Sequence, residues 1–289
     1  MKSPPELEWS ARIRLVATDL DGTLLRSDGT ISSRTRDALA RLQAAGIDLV
    51  FITARPPRWM EPIAAMSGHR GVAICANGAI TYDMQAGRVV DSCPLDREAA
   101  LEIVRRLRGA VPGGTFAVET GEGFACEPGH LQHQWDSELD LRIADAVSLL
   151  ETPVIKLLFG HPDWKADDLL AVVRGSVGDL AEVTHSNPER ATIELSAPGI
   201  SKATALARLC DGRGIAAAEV LAFGDMPNDL PLLAWAGTAF AVANAHPQVL
   251  EAVSWVTSSN DEDGVARVLE RLTGRPGRPG LGPREGCAI

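Results

Sequence analysis

Two places in this chain crowd carboxylates at the end of an apolar run, and that crowding is the first sign of chemistry. In Leu15-Val16-Ala17-Thr18-Asp19-Leu20-Asp21-Gly22-Thr23, two acids are separated by one residue and followed by a glycine. Residues two apart share a face of an extended chain, so Asp19 and Asp21 can point into one small volume. Like charges that close need a cation or a shared proton. Mg²⁺ suits the place, since it takes oxygen ligands, keeps several waters and is completed by substrate phosphate. The second cluster, Gly224-Asp225-Met226-Pro227-Asn228-Asp229, closes another apolar run that starts at Glu219. Two acidic clusters in matching positions argue against a merely solvated turn at either.

Each motif also admits a plainer explanation. Asp21-Gly22 alone would serve a tight turn. A calcium loop fails, because it needs glycine sixth and Glu twelfth, whereas counting from Asp19 the glycine comes fourth and Thr30 stands twelfth. Thr53-Ala54-Arg55 ends the run from Ile47 to Ile52, where a hydroxyl caps a helix or donates to a phosphate oxygen. Asn77-Gly78, after Val72 to Cys75, fits a tight turn. Lys202 opens a helix after Gly199-Ile200-Ser201, where backbone amides also favour an anion.

The elements that must carry these residues alternate between strand and helix. A buried strand from Ile13 to Ala17, a helix capped by Ser32 or Ser33 and closed by Gly46, and a strand to Ile52 make one βαβ unit. Helix from about Arg58 to Met66, strand 72–75 and a hairpin over 79–91 follow. Ligands in such folds sit at the carboxyl ends of the strands, where both acidic clusters fall. From 84 to 189 the pattern changes to short strands and helices, which predicts an inserted α+β domain. The core is expected over 12–83 and 190–273, with a strand over 192–195 resuming it. The doubly wound pattern continues to a helix ending at Leu272, and the Gly/Pro-rich segment 274–289 reads as a disordered tail.

Composition narrows the partners. At 289 residues the chain exceeds an ordinary single domain, and 45% hydrophobic residues argue against general disorder. A net charge of −10 without a basic run argues against nucleic acid and anionic membranes. Five widely spaced cysteines without a Cys-x-x-Cys pair suggest reduced thiols in a cytoplasmic protein. No secretory signal or membrane-length apolar stretch is evident. His130 and His133, three apart, lack the further ligands a zinc site needs.

The sequence resembles the haloacid dehalogenase-like hydrolases, whose hallmark is Asp-x-Asp-Gly-Thr after the first strand. The Asn-Gly and following hairpin, together with Asn260-Asp261-Glu262-Asp263-Gly264, resemble the Cof-type subgroup with its inserted cap. The resemblance covers nearly all of 12–272 and implies a magnesium-dependent phosphomonoester hydrolase acting on small phosphorylated metabolites such as sugar phosphates. Asp19 would be the nucleophile that forms an aspartyl-phosphate, and Asp21 the general acid and base. Thr53, Ala54, Lys202 and Asn228 would bind phosphate. Asp19, Asp21 through its backbone carbonyl, and Asp225 would hold Mg²⁺, with Gly22 and Asp229 supporting them. Arg55, Arg58, Asn77 and Gly78 are candidates for substrate contact, and Glu122, Glu127, His130, His133 and Trp135 for reading the leaving group. A phosphosugar mutase and a non-catalytic phosphometabolite-binding regulator remain as alternatives.

Overall fold

The computed structural model describes residues 12–121, 123–130, 141–186 and 191–274. Fourteen strands among them form two sheets. The first five are β1 (Leu15–Thr18), β2 (Asp48–Ile52), β3 (Val72–Cys75), β4 (Ile80–Asp83) and β5 (Arg88–Ser92). The next six are β6 (Thr115–Glu119), β7 (Phe124–Cys126), β8 (Arg142–Ile143), β9 (Lys156–Gly160), β10 (Glu182–Thr184) and β11 (Thr192–Ser196). The chain then returns with β12 (Val220–Gly224), β13 (Thr238–Ala241) and β14 (Trp255–Val256).

The large sheet has the order β14-β13-β12-β1-β2-β3-β4-β5. Its strands from β14 to β3 are parallel, and the hairpin β4–β5 is antiparallel at one edge. β1 is fully buried between β2 and β12, as its unbroken apolar run requires. The helices Ser33–Ala44 and Lys202–Arg213 start on serine caps, Ser32 and Ser201, whose side chains accept from Thr35 N and Thr204 N. Because the six parallel strands point the same way, the loops after β1, β2, β3 and β12 meet at one edge.

The small sheet, β10-β11-β9-β6-β7-β8, is antiparallel except where β7 meets β8. It has its own hydrophobic cluster, centred on Phe116, Leu157, Phe159, Leu169 and Ile193. Two expectations need correction. β5 extends the large sheet and β11 belongs to the small one, so the chain changes sheets later at both ends than 84–189. The strand over 192–195 does not resume the core, because it pairs antiparallel with β9 and β10. The short elements β8, β10 and the helix Ala146–Leu149 escaped notice, being too brief to show periodicity.

Polar contacts join the sheets, beside an apolar one where Ile155 packs into the large sheet's cluster. Lys156 Nζ donates to the Ala54 carbonyl at 2.8 Å, Arg58 pairs with Glu119, and Asn77 Nδ2 donates to Glu194. His246 Nε2 lies 3.5 Å from Asp167. The 274–289 tail expectation falls almost wholly outside the described residues, as do the residues Glu122, His133 and Trp135.

Candidate active site

The turn after β1 is shaped around a glycine. Gly22 has φ +78°, and a Cβ there would stand 2.4 Å from Asp225 Oδ2, so no other residue allows the two acidic loops to approach this closely. Asn244 Nδ2 holds the Gly22 carbonyl at 2.8 Å, and Thr23 Oγ1 donates to Asp225 Oδ1 at 2.6 Å. Thr23 and Asn244 were missed as site residues. Thr23 belongs to the hallmark motif and could have been weighed with it.

Lys202, the first residue of its helix, is 1% exposed and bonds to Asp19 Oδ1 at 2.5 Å and Asp229 Oδ1 at 2.6 Å. Burial alone would lower its pKa, but the two carboxylates outweigh burial and raise it, so the amine stays charged. Asp229 Oδ2 accepts from the backbone amides of Asp225 and Met226, both at 3.0 Å. Both oxygens of Asp229 are therefore engaged, which suits an anchor for Lys202 and for the β12 loop. Gly224 is tight for the same reason, since a Cβ would lie 2.5 Å from that of Asp229.

Asp19, Asp225 and Asp229 offer carboxylate oxygens within 4.8 Å of one another, and all three residues are buried. One lysine against three carboxylates leaves two negative charges uncompensated. Burial, and then the neighbouring acids, push the Asp19 pKa well above the carboxylate range despite Lys202. Burial and Asp229 push Asp225 to about 7. A hard divalent cation bound by oxygen would remove that strain, so the donor set fits Mg²⁺. With Asp229 engaged elsewhere, Asp19 and Asp225 are the side chains able to hold it.

Asp21 does not join this group. Its carboxylate is 52% exposed and receives two hydrogen bonds from Arg55, Nε to Oδ2 at 2.7 Å and Nη2 to Oδ1 at 2.5 Å. Thr53 is fully buried, and its hydroxyl oxygen accepts from Arg55 N at 3.1 Å, the capping use of that hydroxyl. The turn Ala76–Gly78 clasps this loop, with Ala76 N on the Arg55 carbonyl and Asn77 N on the Thr53 carbonyl. Asn77 sits at φ +57°, which asparagine tolerates, and bridges Asn228 Nδ2 (3.1 Å) to Glu194. Gly78, at φ +104°, packs so close to Ser201 that a Cβ would lie 2.3 Å from its carbonyl oxygen. Its evident role is that close approach.

A cleft between the sheets is lined by Asp19, Asp21, Ala54, Lys202 and Asn228 on one side. Arg55, Arg58, Trp59 and Met226 continue that wall, and Glu119, Phe124, His130, Lys156, Ser186 and Glu194 form the other. Thr53 and Asp225 are buried without forming part of the wall. Among the expected leaving-group residues that are described, His130 reaches the cleft, with Nδ1 3.1 Å from Thr115 Oγ1 and its pKa lowered by burial. Glu127 does not: it is tied to Arg108, Phe116 N and Ala146 N inside the small sheet's own structure. Glu119, Lys156 and Glu194 were missed. Their signal was one charge in each of three apolar strands, β6, β9 and β11.

The model of the haloacid dehalogenase-like hydrolase family matches residues 16–269. The 5-amino-6-(5-phospho-D-ribitylamino)uracil phosphatase YitU of Bacillus subtilis is 31% identical over 264 residues, covering 89% of this chain and 96% of that one. The pyridoxal phosphate phosphatase YbhA of Escherichia coli is 28% identical, covering 89% and 97%. A crystal structure of a haloacid dehalogenase-like hydrolase from Bacteroides thetaiotaomicron superposes with a TM-score of 0.71 at 29% identity, covering 90% and 99%. With its paired acidic loops, buried lysine and second sheet facing the strand ends, the chain belongs to the haloacid dehalogenase-like hydrolases.

Proposed function

We propose that this protein is a magnesium-dependent phosphatase that hydrolyses phosphomonoesters of small metabolites, sugar phosphates among them, through an aspartyl-phosphate on Asp19. The observation that carries this reading is Lys202 bonded to both Asp19 and Asp229, with Asp225 beside them. That arrangement positions a carboxylate at the cleft wall with a cation beside it, and a bound divalent metal would supply the remaining positive charge that keeps it ionised, as a nucleophile toward phosphorus must be. Mg²⁺ held by Asp19, the Asp21 backbone carbonyl and Asp225 would neutralise charge between nucleophile and phosphate.

Asp19 attacks phosphorus in line with the ester oxygen. Lys202, Asn228, Thr53 and the Ala54 backbone bind the transferring oxygens, since phosphoryl transfer depends on positioning and charge stabilisation. Asp21 gives its proton to the leaving oxygen, exchanging its bond with Arg55 for one with substrate, and then takes a proton from the water that splits the aspartyl-phosphate. The segment that carries the small sheet, between β5 and the helix Lys202–Arg213, acts as the cap that meets the leaving group. The relatives' names place phosphatases of small phosphorylated metabolites around this chain, in support of the reading.

The test is release of inorganic phosphate from a panel of phosphomonoesters, with and without magnesium. Magnesium-dependent release supports the proposal; interconversion of phosphosugar isomers without net release would make the protein a mutase. Asp225→Ala should raise the magnesium concentration needed for half-maximal rate at least tenfold, about 1.4 kcal/mol of lost binding. An unchanged magnesium titration would place the metal elsewhere.

A further inference from the structure

Two aromatic rings in the cleft belong to neither hydrophobic core. Trp59 comes from the loop after β2 and Phe124 from the start of β7, both half-buried. Neither packs into the apolar cluster of its own sheet. Aromatic residues make up 4% of the chain, so two left at one cleft are a selective use of scarce apolar surface.

Arg58 joins the two. Its guanidinium carbon is 5.5 Å from the Trp59 ring centre and 6.0 Å from that of Phe124. The guanidinium pairs with Glu119, whose side chain is 3% exposed and whose other oxygen accepts from Gly121 N at 2.9 Å. Arg58 is thus anchored at a buried acid while facing two π systems, one from each sheet. Chemistry at phosphorus requires none of these four residues. Leu158 and Met226 add apolar lining, and Glu194 and Ser186, bonded to each other at 2.8 Å, place polar oxygens at the same cleft.

We infer that this ring, guanidinium and ring arrangement reads the leaving group, and that the favoured substrates are phosphomonoesters whose alcohol portion carries a planar aromatic or heteroaromatic ring. A flat π face complements both rings and the planar guanidinium, and ring N–H or O–H groups find acceptors at Glu194 and Ser186. An open polyol offers no flat face to the two rings and gains nothing from them. The inference rests on the phosphomonoesterase reading and narrows it.

The test compares kcat/KM for pyridoxal 5′-phosphate and flavin mononucleotide with that for glycerol 3-phosphate and glucose 6-phosphate. The wild type should favour the ring-bearing pair by about tenfold or more. Phe124→Leu should lower that preference about fivefold, mainly through KM, and Phe124→Tyr should restore it. A purely structural role for Phe124 would instead lower kcat on all four substrates together with the melting temperature. Preference for the polyol and sugar phosphates, or a ratio that Phe124→Leu leaves within twofold, overturns the inference while leaving the phosphatase reading intact. Release of phosphate from none of the four would refute the phosphatase reading itself.

Discussion

On the large-sheet side of the cleft, Lys202 donates to both Asp19 and Asp229, and Asp229 is fixed by two amides of its own loop. On the small-sheet wall, Glu119, Lys156 and Glu194 take partners from across the cleft: Arg58, the Ala54 carbonyl and Asn77. The first set is complete within one sheet, since its members sit on loops that parallel topology gathers at one edge. The second is complete only when the sheets meet. Buried charge needs a partner wherever it lies, so the phosphate-handling residues are preorganised by the fold, and the residues facing the leaving group are ordered by the meeting of two bodies.

The strongest attempt to break this contrast is Asp19→Asn. An amide is a poor nucleophile, so turnover should fall about a thousandfold or more, while Lys202 keeps Asp229 and the fold persists. Steady-state kinetics of the purified variant decide it, and a rate within a few-fold of wild type removes Asp19 from the chemistry. Lys202→Met tests whether the large-sheet set is self-contained. Leaving three buried carboxylates without their cation should cost about 3–5 kcal/mol in urea unfolding with a chelator present. Carboxylates with raised native pKa values lose stability as pH rises, so the deficit should be larger at pH 8 than at pH 5. A deficit independent of pH would mean that the carboxylates do not carry it.

His69 sharpens the comparison from a site remote from the cleft. It is buried beside Phe51, with Nδ1 2.8 Å from Gln43 Nε2, and burial lowers its pKa from 6.5 to about 4. Above pH 6.5 both native and unfolded chains are neutral there. Between pH 6.5 and 4 the unfolded chain takes up a proton that the native one refuses, so stability should drop by about 3 kcal/mol over that window. His69→Gln should flatten this part of the stability profile, and an unaltered slope would assign the loss to other groups. The smallest effect is expected at Lys156→Met, which removes one hydrogen bond across the cleft and a 3.4 Å pairing with Glu194, while Glu194 keeps its bonds from Asn77 and Ser186. Stability should fall by about 2 kcal/mol, with a larger effect on KM than on kcat. The reverse pattern would place Lys156 with the chemistry.

The sequence made the large-sheet side legible and the other side only in outline. Asp19, Asp225 and Lys202 were found because strand ends are easy to see and acids crowded there are hard to explain otherwise. Asp229 was legible as a supporting acid, though its two amide bonds were not, and Arg55 was recognisable as a cation but not as the partner of Asp21. β11 was assigned to the wrong sheet because four apolar-rich residues look alike in parallel and antiparallel settings. Glu127 was misread as a leaving-group contact because an acid in a polar stretch does not reveal whether it faces a cleft or its own backbone, and here it ties Arg108 to two backbone amides. Pairing across the cleft joins residues such as Asn77 and Glu194, far apart in the chain, and no local pattern encodes it.

The position of β1 also bears on how the molecule is made. β1 lies between β2 and β12, and its pairing of Leu15 with Val220 spans most of the chain. During synthesis the strand that leads into Asp19 emerges early, but its second neighbour, Lys202 and Asp225 emerge only after the whole small sheet. That sheet is contiguous in sequence and can fold while the ribosome is still working, whereas the large sheet must keep an apolar edge open until β12 arrives. The nascent chain therefore passes through a stage in which a hydrophobic strand edge is exposed beside a folded neighbour, and this interval, rather than the finished protein, is where aggregation or chaperone capture would act.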